Sequence, residues 1–157
     1  MKNNIVNYFI VFLVFLFLFE NKVNSQEIQF NASEIQSLDD GNKIIAYNGV
    51  EIIDPKGIVI QANDSEYDKL KSILKVKNNV SINDTINNNT LFTNEAIYFI
   101  NENKIISKDK TVIKIEENYT IDSSNITYDR ELKEIFSKEK TLVQDGYNNL
   151  LKSNNFK

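Results

Sequence analysis

The chain has 157 residues, a net charge of −4 and no cysteine, histidine or tryptophan. That inventory excludes thiol and imidazole nucleophiles, histidine acid–base catalysis, disulfides and the usual zinc and transition-metal ligand sets. The charge becomes −5 once residues 1–25, with Lys2, Glu20 and Lys22, are set aside, which argues against a nucleic-acid partner, since phosphate binding needs a basic face.

Residues 1–25 have the shape of a signal peptide. Lys2 precedes the apolar run Tyr8 to Phe19, and Val23 and Ser25 stand at the −3 and −1 positions of a cleavage site before Gln26. Twelve apolar residues as a helix span about 18 Å, short of a ~30 Å hydrocarbon core. The expectation is cleavage, with a retained anchor as the alternative.

From Gln26 to Asp145 the reading is almost wholly β. Short alternating runs rich in β-branched residues recur, among them Val50-Glu51-Ile52, Leu74-Lys75-Val76 and Val112-Ile113-Lys114-Ile115. Asn48-Gly49 and Asn78-Asn79 suit tight hairpin-like corners, and Asp54-Pro55-Lys56-Gly57 is a strong turn. Strands of about five residues at this spacing predict a sandwich, barrel or jelly roll. Residues 146–157 are read as a polar tail, disordered rather than helical.

One pattern is written four times. Ungapped alignment gives the columns Phe30/Ile60/Leu91/Ile121, Ala32/Ala62/Thr93/Ser123, Ser37/Tyr67/Tyr98/Tyr128, Ile44/Leu74/Ile105/Ile135, Ala46/Val76/Ser107/Ser137, Val50/Val80/Thr111/Thr141 and Ile52/Ile82/Ile113/Val143, with a period of 30, 31 and 30 residues. Such a period signals stacked supersecondary units, none able to bury its apolar face alone.

No catalytic arrangement stands out. Asp64, Glu66 and Asp68 could serve as an acid–base pair or a calcium site, but the other copies carry different polar residues there, which suits a strand corner. The tyrosine column reads as a row that covers the core while its hydroxyls reach water, with ligand contact as the alternative. The inward apolar columns either fill the space between two sheets or, if the sheets splay, line a greasy groove. Lys69, Lys71, Lys75 and Lys77 read as a solvated strand face. Abundant Asn, Ile and Lys read as the coding bias of an AT-rich genome, which also generates the sequons at Asn31, Asn63 and Asn83. A secreted glycoprotein is the weaker reading of those sequons.

The segments IQANDSEYD and ILKVKNNVSI, then LFTNEAIYF with IISKDKTVIKI, then TIDSSNITYD with IFSKEKTLV, resemble the OstA-like, LptA-type periplasmic domains of lipopolysaccharide transport. That family includes LptA, the periplasmic part of LptC and the N-terminal domain of LptD. Its motif reads like A-D-x-A-x-Y-(D/N), a turn, then h-x-A-x-G-N-V, where h is apolar. Residues 62–68, 76–80 and 46–50 match it, whereas Lys110-Thr111 and Lys140-Thr141 depart from it. The resemblance covers residues 28–145 and implies a V-shaped antiparallel β-jellyroll built from two-strand units.

It further implies a binding protein rather than an enzyme, needing no cofactor or metal. Lipid A acyl chains of lipopolysaccharide would lie in a groove along Ile60, Leu74, Val76, Val80, Ile82, Leu91, Ile105, Ile113 and Ile121. Other jellyroll modules, or further copies in an end-to-end homo-oligomer, would join through edge strands near Phe30 and Leu142-Val143. The implied place is the periplasm, in association with the outer membrane. The small column Ala46/Val76/Ser107/Ser137 is expected to leave room between the sheets. The alternative is a structural adaptor or spacer with a closed core and no lipid ligand.

Overall fold

The computed structural model describes residues 27–116 and 118–157; the signal peptide expected from the sequence lies outside them. Among the described residues, thirteen strands form one antiparallel sheet. They are β1 (Gln29–Leu38), β2 (Lys43–Asp54), β3 (Ile58–Ala62), β4 (Asp64–Asp68), β5 (Ile73–Asp84), β6 (Asn89–Phe99), β7 (Lys104–Lys108), β8 (Lys110–Ile115), β9 (Tyr119–Ser124), β10 (Thr127–Asp129), β11 (Glu134–Phe136), β12 (Thr141–Asp145) and β13 (Leu150–Ser153).

The long strands explain how one sheet becomes a jellyroll. The second half of β2 pairs with β3 and its first half with β4, and β5 does the same from the other side. The first half of β6 pairs with β8 and its second half with β7. The sheet therefore folds along a line near residues 33, 48, 63, 78, 94, 109, 125 and 139 into two layers. Layer A holds the first halves of β1 and β6 and the second halves of β2 and β5, with β3, β8, β9, β12 and β13. Layer B holds the complementary halves, with β4, β7, β10 and β11. Each repeat thus crosses the fold line twice, as one long bent strand in β1, β2, β5 and β6 and as two short strands elsewhere.

Asn48-Gly49 and Asn78-Asn79, expected as hairpin corners, are these bends inside β2 and β5. Their φ angles are 62°, 85°, 64° and 55°, the left-handed region that Gly and Asn tolerate best. Asp109 and Asn125 take the same conformation further along the line. The asparagine content is therefore structural here as well as compositional.

The sequence columns become rows across the layers. In layer A the register sets Phe30, Ile52, Ile60, Ile82, Leu91, Ile113, Ile121, Val143 and Leu151 side by side. In layer B it aligns Ser37, Ile44, Tyr67, Leu74, Tyr98, Ile105, Tyr128 and Ile135. The interior residues of both rows form one hydrophobic core. Burying each large aliphatic side chain there contributes about 1.5–3 kcal/mol.

The C-terminal segment departs from the disorder expected of it. Residues 150–153 pair with β12, and Phe156 exchanges backbone hydrogen bonds with Ser137 at 2.9 and 3.0 Å. Otherwise β12 would be a bare edge. The exposed edge on this side of layer A is consequently β13 rather than the strand carrying Leu142-Val143, while β1 closes the opposite end among the described residues.

Candidate functional site

All nine residues expected to line a groove come together in the core between the layers. Ile60, Val80, Ile82, Leu91, Ile113 and Ile121 project from layer A, and Leu74, Val76 and Ile105 from layer B; each is between 0 and 2 % exposed. Alternation explains the placement, since β5 reads in–out along both halves and keeps Lys75 outside while Leu74 and Val76 are buried. With the layers in this position the interior is filled by side chains.

The two long sides of this interior are built differently. At the fold line the backbone itself passes between the layers. There the small column Ala46/Val76/Ser107/Ser137 is fully buried, so its side chains let the layers approach instead of leaving room. In the third and fourth repeats hydroxyls fill the space: Thr111 Oγ1 bonds Ser107 Oγ at 2.7 Å, and Ser123 Oγ meets Thr141 Oγ1 at 2.8 Å and Ser137 Oγ at 3.0 Å.

On the other side, the mouth, the layers face each other only through turns. Layer A contributes those near residues 54–58, 84–89, 115–119 and 145–150, and layer B those near 38–43, 68–73, 99–104 and 129–134. Side chains join these lips. Tyr98 Oη donates to Asp54 Oδ2 at 2.6 Å, and Tyr128 Oη to Asp84 Oδ2 at 2.7 Å. The chain's single arginine, Arg130, donates from Nε to Asp84 Oδ2 at 2.8 Å and from Nη2 to the Lys56 carbonyl at 2.8 Å. Lys56 Nζ donates to the Ile100 carbonyl at 2.9 Å, again from one lip to the other.

This cluster is sequestered from water: Asp54, Asp84, Tyr98, Tyr128 and Arg130 are all buried. Burial alone would raise the Asp84 pKa. The hydrogen bonds from Arg130, Asn87 and Tyr128 outweigh it and hold the carboxyl well below the usual carboxylate range. Burial, reinforced by the Asp84 bond, pushes the Tyr128 phenol up to about 12, and burial with the Asp54 bond drives Tyr98 higher still. Burial works against the Arg130 charge, but Asp84 more than compensates and raises its pKa. Asp84 and Arg130 thus stay charged, and Tyr98 and Tyr128 protonated, at neutral pH, which suits a structural clasp.

The tyrosine column therefore behaves differently from its sequence reading, because its hydroxyls at 98 and 128 turn inward to buried carboxylates rather than outward to water. Tyr67 is half-buried and stacks on Phe30 at a centroid distance of 5.7 Å. The carboxylates weighed for chemistry are engaged at the outer surface. Asp64 accepts from Asn78 Nδ2 at 2.8 Å, Glu66 pairs with Lys43 at 3.1 Å, and Asp68 with Lys71 at 3.0 Å.

No protein-family model matches the sequence, and no curated protein matches it. Solved structures do. LptH of Pseudomonas aeruginosa, described as the LptA-homologous periplasmic component of the conserved lipopolysaccharide transport device, superposes with a TM-score of 0.64 at 12% identity. The match covers 81% of this chain and 94% of that one. The fold is the LptA-type β-jellyroll. At such low identity the likeness resides in the bent-strand architecture and not in shared side chains, and the clasp across the mouth is described from this chain's own residues.

Sequence reasoning missed the clasp, although a signal for it was present. Asp54 and Asp84 stand one period apart, Tyr98 and Tyr128 likewise, and each tyrosine follows its aspartate by 44 residues.

Proposed function

We propose that this chain is a periplasmic lipopolysaccharide-binding module that carries lipid A acyl chains between its layers toward the outer membrane, without catalysis. The observation that carries this reading is the aliphatic row of layer A facing the mixed tyrosine and aliphatic row of layer B across an LptA-type jellyroll. Acyl chains would displace core contacts along Ile60, Leu74, Val76, Val80, Ile82, Leu91, Ile105, Ile113 and Ile121. The gain is about 0.8 kcal/mol per buried CH₂, so several chains bind without a charged clamp. Further modules of a transport bridge, or copies of this chain, would add strands at β1 and β13.

The near-complete burial of the nine residues favours a second reading, a structural adaptor whose core stays shut. One experiment separates the two. Photo-crosslinking side chains at Ile82 and Ile113 should capture lipopolysaccharide, whereas those at outward Ser81, Lys75 and Lys114 should not. Equal labelling at inward and outward positions of folded protein would leave the adaptor.

A further inference from the structure

The two long sides of the interior differ in what must break to open them. At the fold line, separation of the layers would require the backbone to give way. At the mouth, among the described residues, no backbone hydrogen bond runs from one lip to the other. Instead each lip is laced lengthwise. On layer B, Lys69 N bonds Asn42 O, Ile100 N bonds Ser72 O and Arg130 N bonds Asn103 O, at 2.8 to 3.0 Å. On layer A, Thr85 N bonds Gly57 O and Glu116 N bonds Asn88 O, at 2.9 and 3.1 Å. The layer B lip is thus one continuous rail of four turns and the layer A lip a rail of three, and the fold line is a hinge between the two rails.

Among the described residues only side chains tie the rails together, and the ties described above join the first two turns of layer A to the last two of layer B. Asp54 and Lys56 on one turn and Asp84 on the next face Tyr98, Tyr128 and Arg130 on the opposite lip. Arg130 is the keystone, because its guanidinium reaches two layer A turns and also lies 3.3 Å from Tyr98 Oη. A hydrogen-bonded ion pair shielded from water holds only while both partners keep their geometry, because close contact is what offsets their desolvation. Such a contact gives two discrete states rather than a graded one.

We propose that the Tyr98–Asp54 and Tyr128–Asp84–Arg130 clasp is a latch that holds the mouth shut and sets how fast amphiphiles reach the interior. The inference rests on the lipid-binding reading and assigns its control. With the latch closed the aliphatic rows are hidden. A ligand shifts the balance only by binding the open state better than the closed one, and the latch subtracts from its apparent affinity. Weakening the latch therefore accelerates loading and strengthens binding together.

The cysteine-free chain makes the test direct. Ile86 and Leu132 are exposed on the two turns that flank the Asp84–Arg130 contact. Protein from cells expressing the full chain with Ile86→Cys and Leu132→Cys carries either spin labels or a cleavable bismaleimide bridge. The ligand probe is lipopolysaccharide with a photoreactive acyl chain.

Tyr98→Phe removes one bond to a carboxylate, so the label–label distances should extend to longer values and loading should accelerate on the order of tenfold. Arg130→Gln should act more strongly. Where it fails to fold, Tyr98→Phe combined with Tyr128→Phe replaces it, since that pair deletes only two hydroxyls. Bridging residues 86 and 132 should block capture, and cleaving the bridge should restore it. Unchanged capture by the bridged protein, or unchanged distances in folded latch variants, overturns the latch and leaves the lipid reading standing. Distances that lengthen in the variants without capture by any form support the latch and overturn the lipid reading.

Discussion

Tyr98 and Asp54 lie 44 residues apart in sequence and meet across the mouth at 2.6 Å, and one repeat later Tyr128 and Asp84 meet at 2.7 Å with the same separation. The two contacts are not equivalent. Asp54 keeps one further donor, the Lys56 amide, whereas Asp84 also accepts from Arg130, Asn87 and the Ile86 amide.

Tyr98→Phe should accordingly cost about 1.5–3 kcal/mol, the usual range for a hydrogen bond to a charged group, and Tyr128→Phe should fall at its lower end. Urea unfolding followed by circular dichroism measures both. A larger loss for Tyr128→Phe would reverse the ranking.

Arg130→Gln strands the Asp84 carboxylate and should cost about 3–5 kcal/mol. Replacing both partners, Asp84→Leu with Arg130→Met, should recover much of that loss, because no buried charge then remains. The same unfolding series reads the recovery.

The clasp also sets the pH response. The Asp84 carboxyl is held below its ordinary value, so its contribution is complete above about pH 3.9 and is lost as pH falls from there through the folded value. Mild acid, near pH 5, should therefore leave stability unchanged, and Asp84→Asn should flatten the acid slope. At the other extreme Tyr128 is raised to about 12, so its contribution holds below about pH 10 and fades as pH climbs through that folded value. Stability measured against pH for wild type and Asp84→Asn tests both limbs.

Much of this fold was legible in the sequence, because the period that places Ile60, Leu91 and Ile121 in one column also places them in one row of layer A. Alternation assigned Leu74 and Val76 inward and Lys75 outward correctly for the same reason. The bends were not legible as bends. Asn78-Asn79 supplies two positive φ angles, and a hairpin and a strand turning between layers need the same pair. The tail was misjudged through its polar average, while Leu151 and Phe156 carried the pairing. The clasp escaped because its members come from four repeats, each tyrosine 44 residues beyond the aspartate it binds.

The bends give a prediction of their own. Asn79→Val places a β-branched residue at a φ of 55°, which should cost at least about 1–2 kcal/mol, whereas Asn79→Gly should be close to neutral. Thermal unfolding of the two variants provides the comparison.

Removal of residues 146–157 should expose β12 and free Ser137 from Phe156. The truncated chain should be less stable and should self-associate more than the full one. Sedimentation velocity over a concentration series shows whether it does.

The central claim is that acyl chains occupy the space between the layers, and isoleucine methyl NMR during titration with lipid A addresses it most directly. Ile60, Ile82, Ile105, Ile113 and Ile121 are buried along that space, while Ile35 and Ile86 are exposed outside it. Intermolecular contacts from acyl protons should appear at the first five methyls and be absent at the other two. Contacts confined to Ile35 and Ile86, or a core whose methyl signals stay unmoved at saturating lipid A, would contradict a lipid-carrying interior.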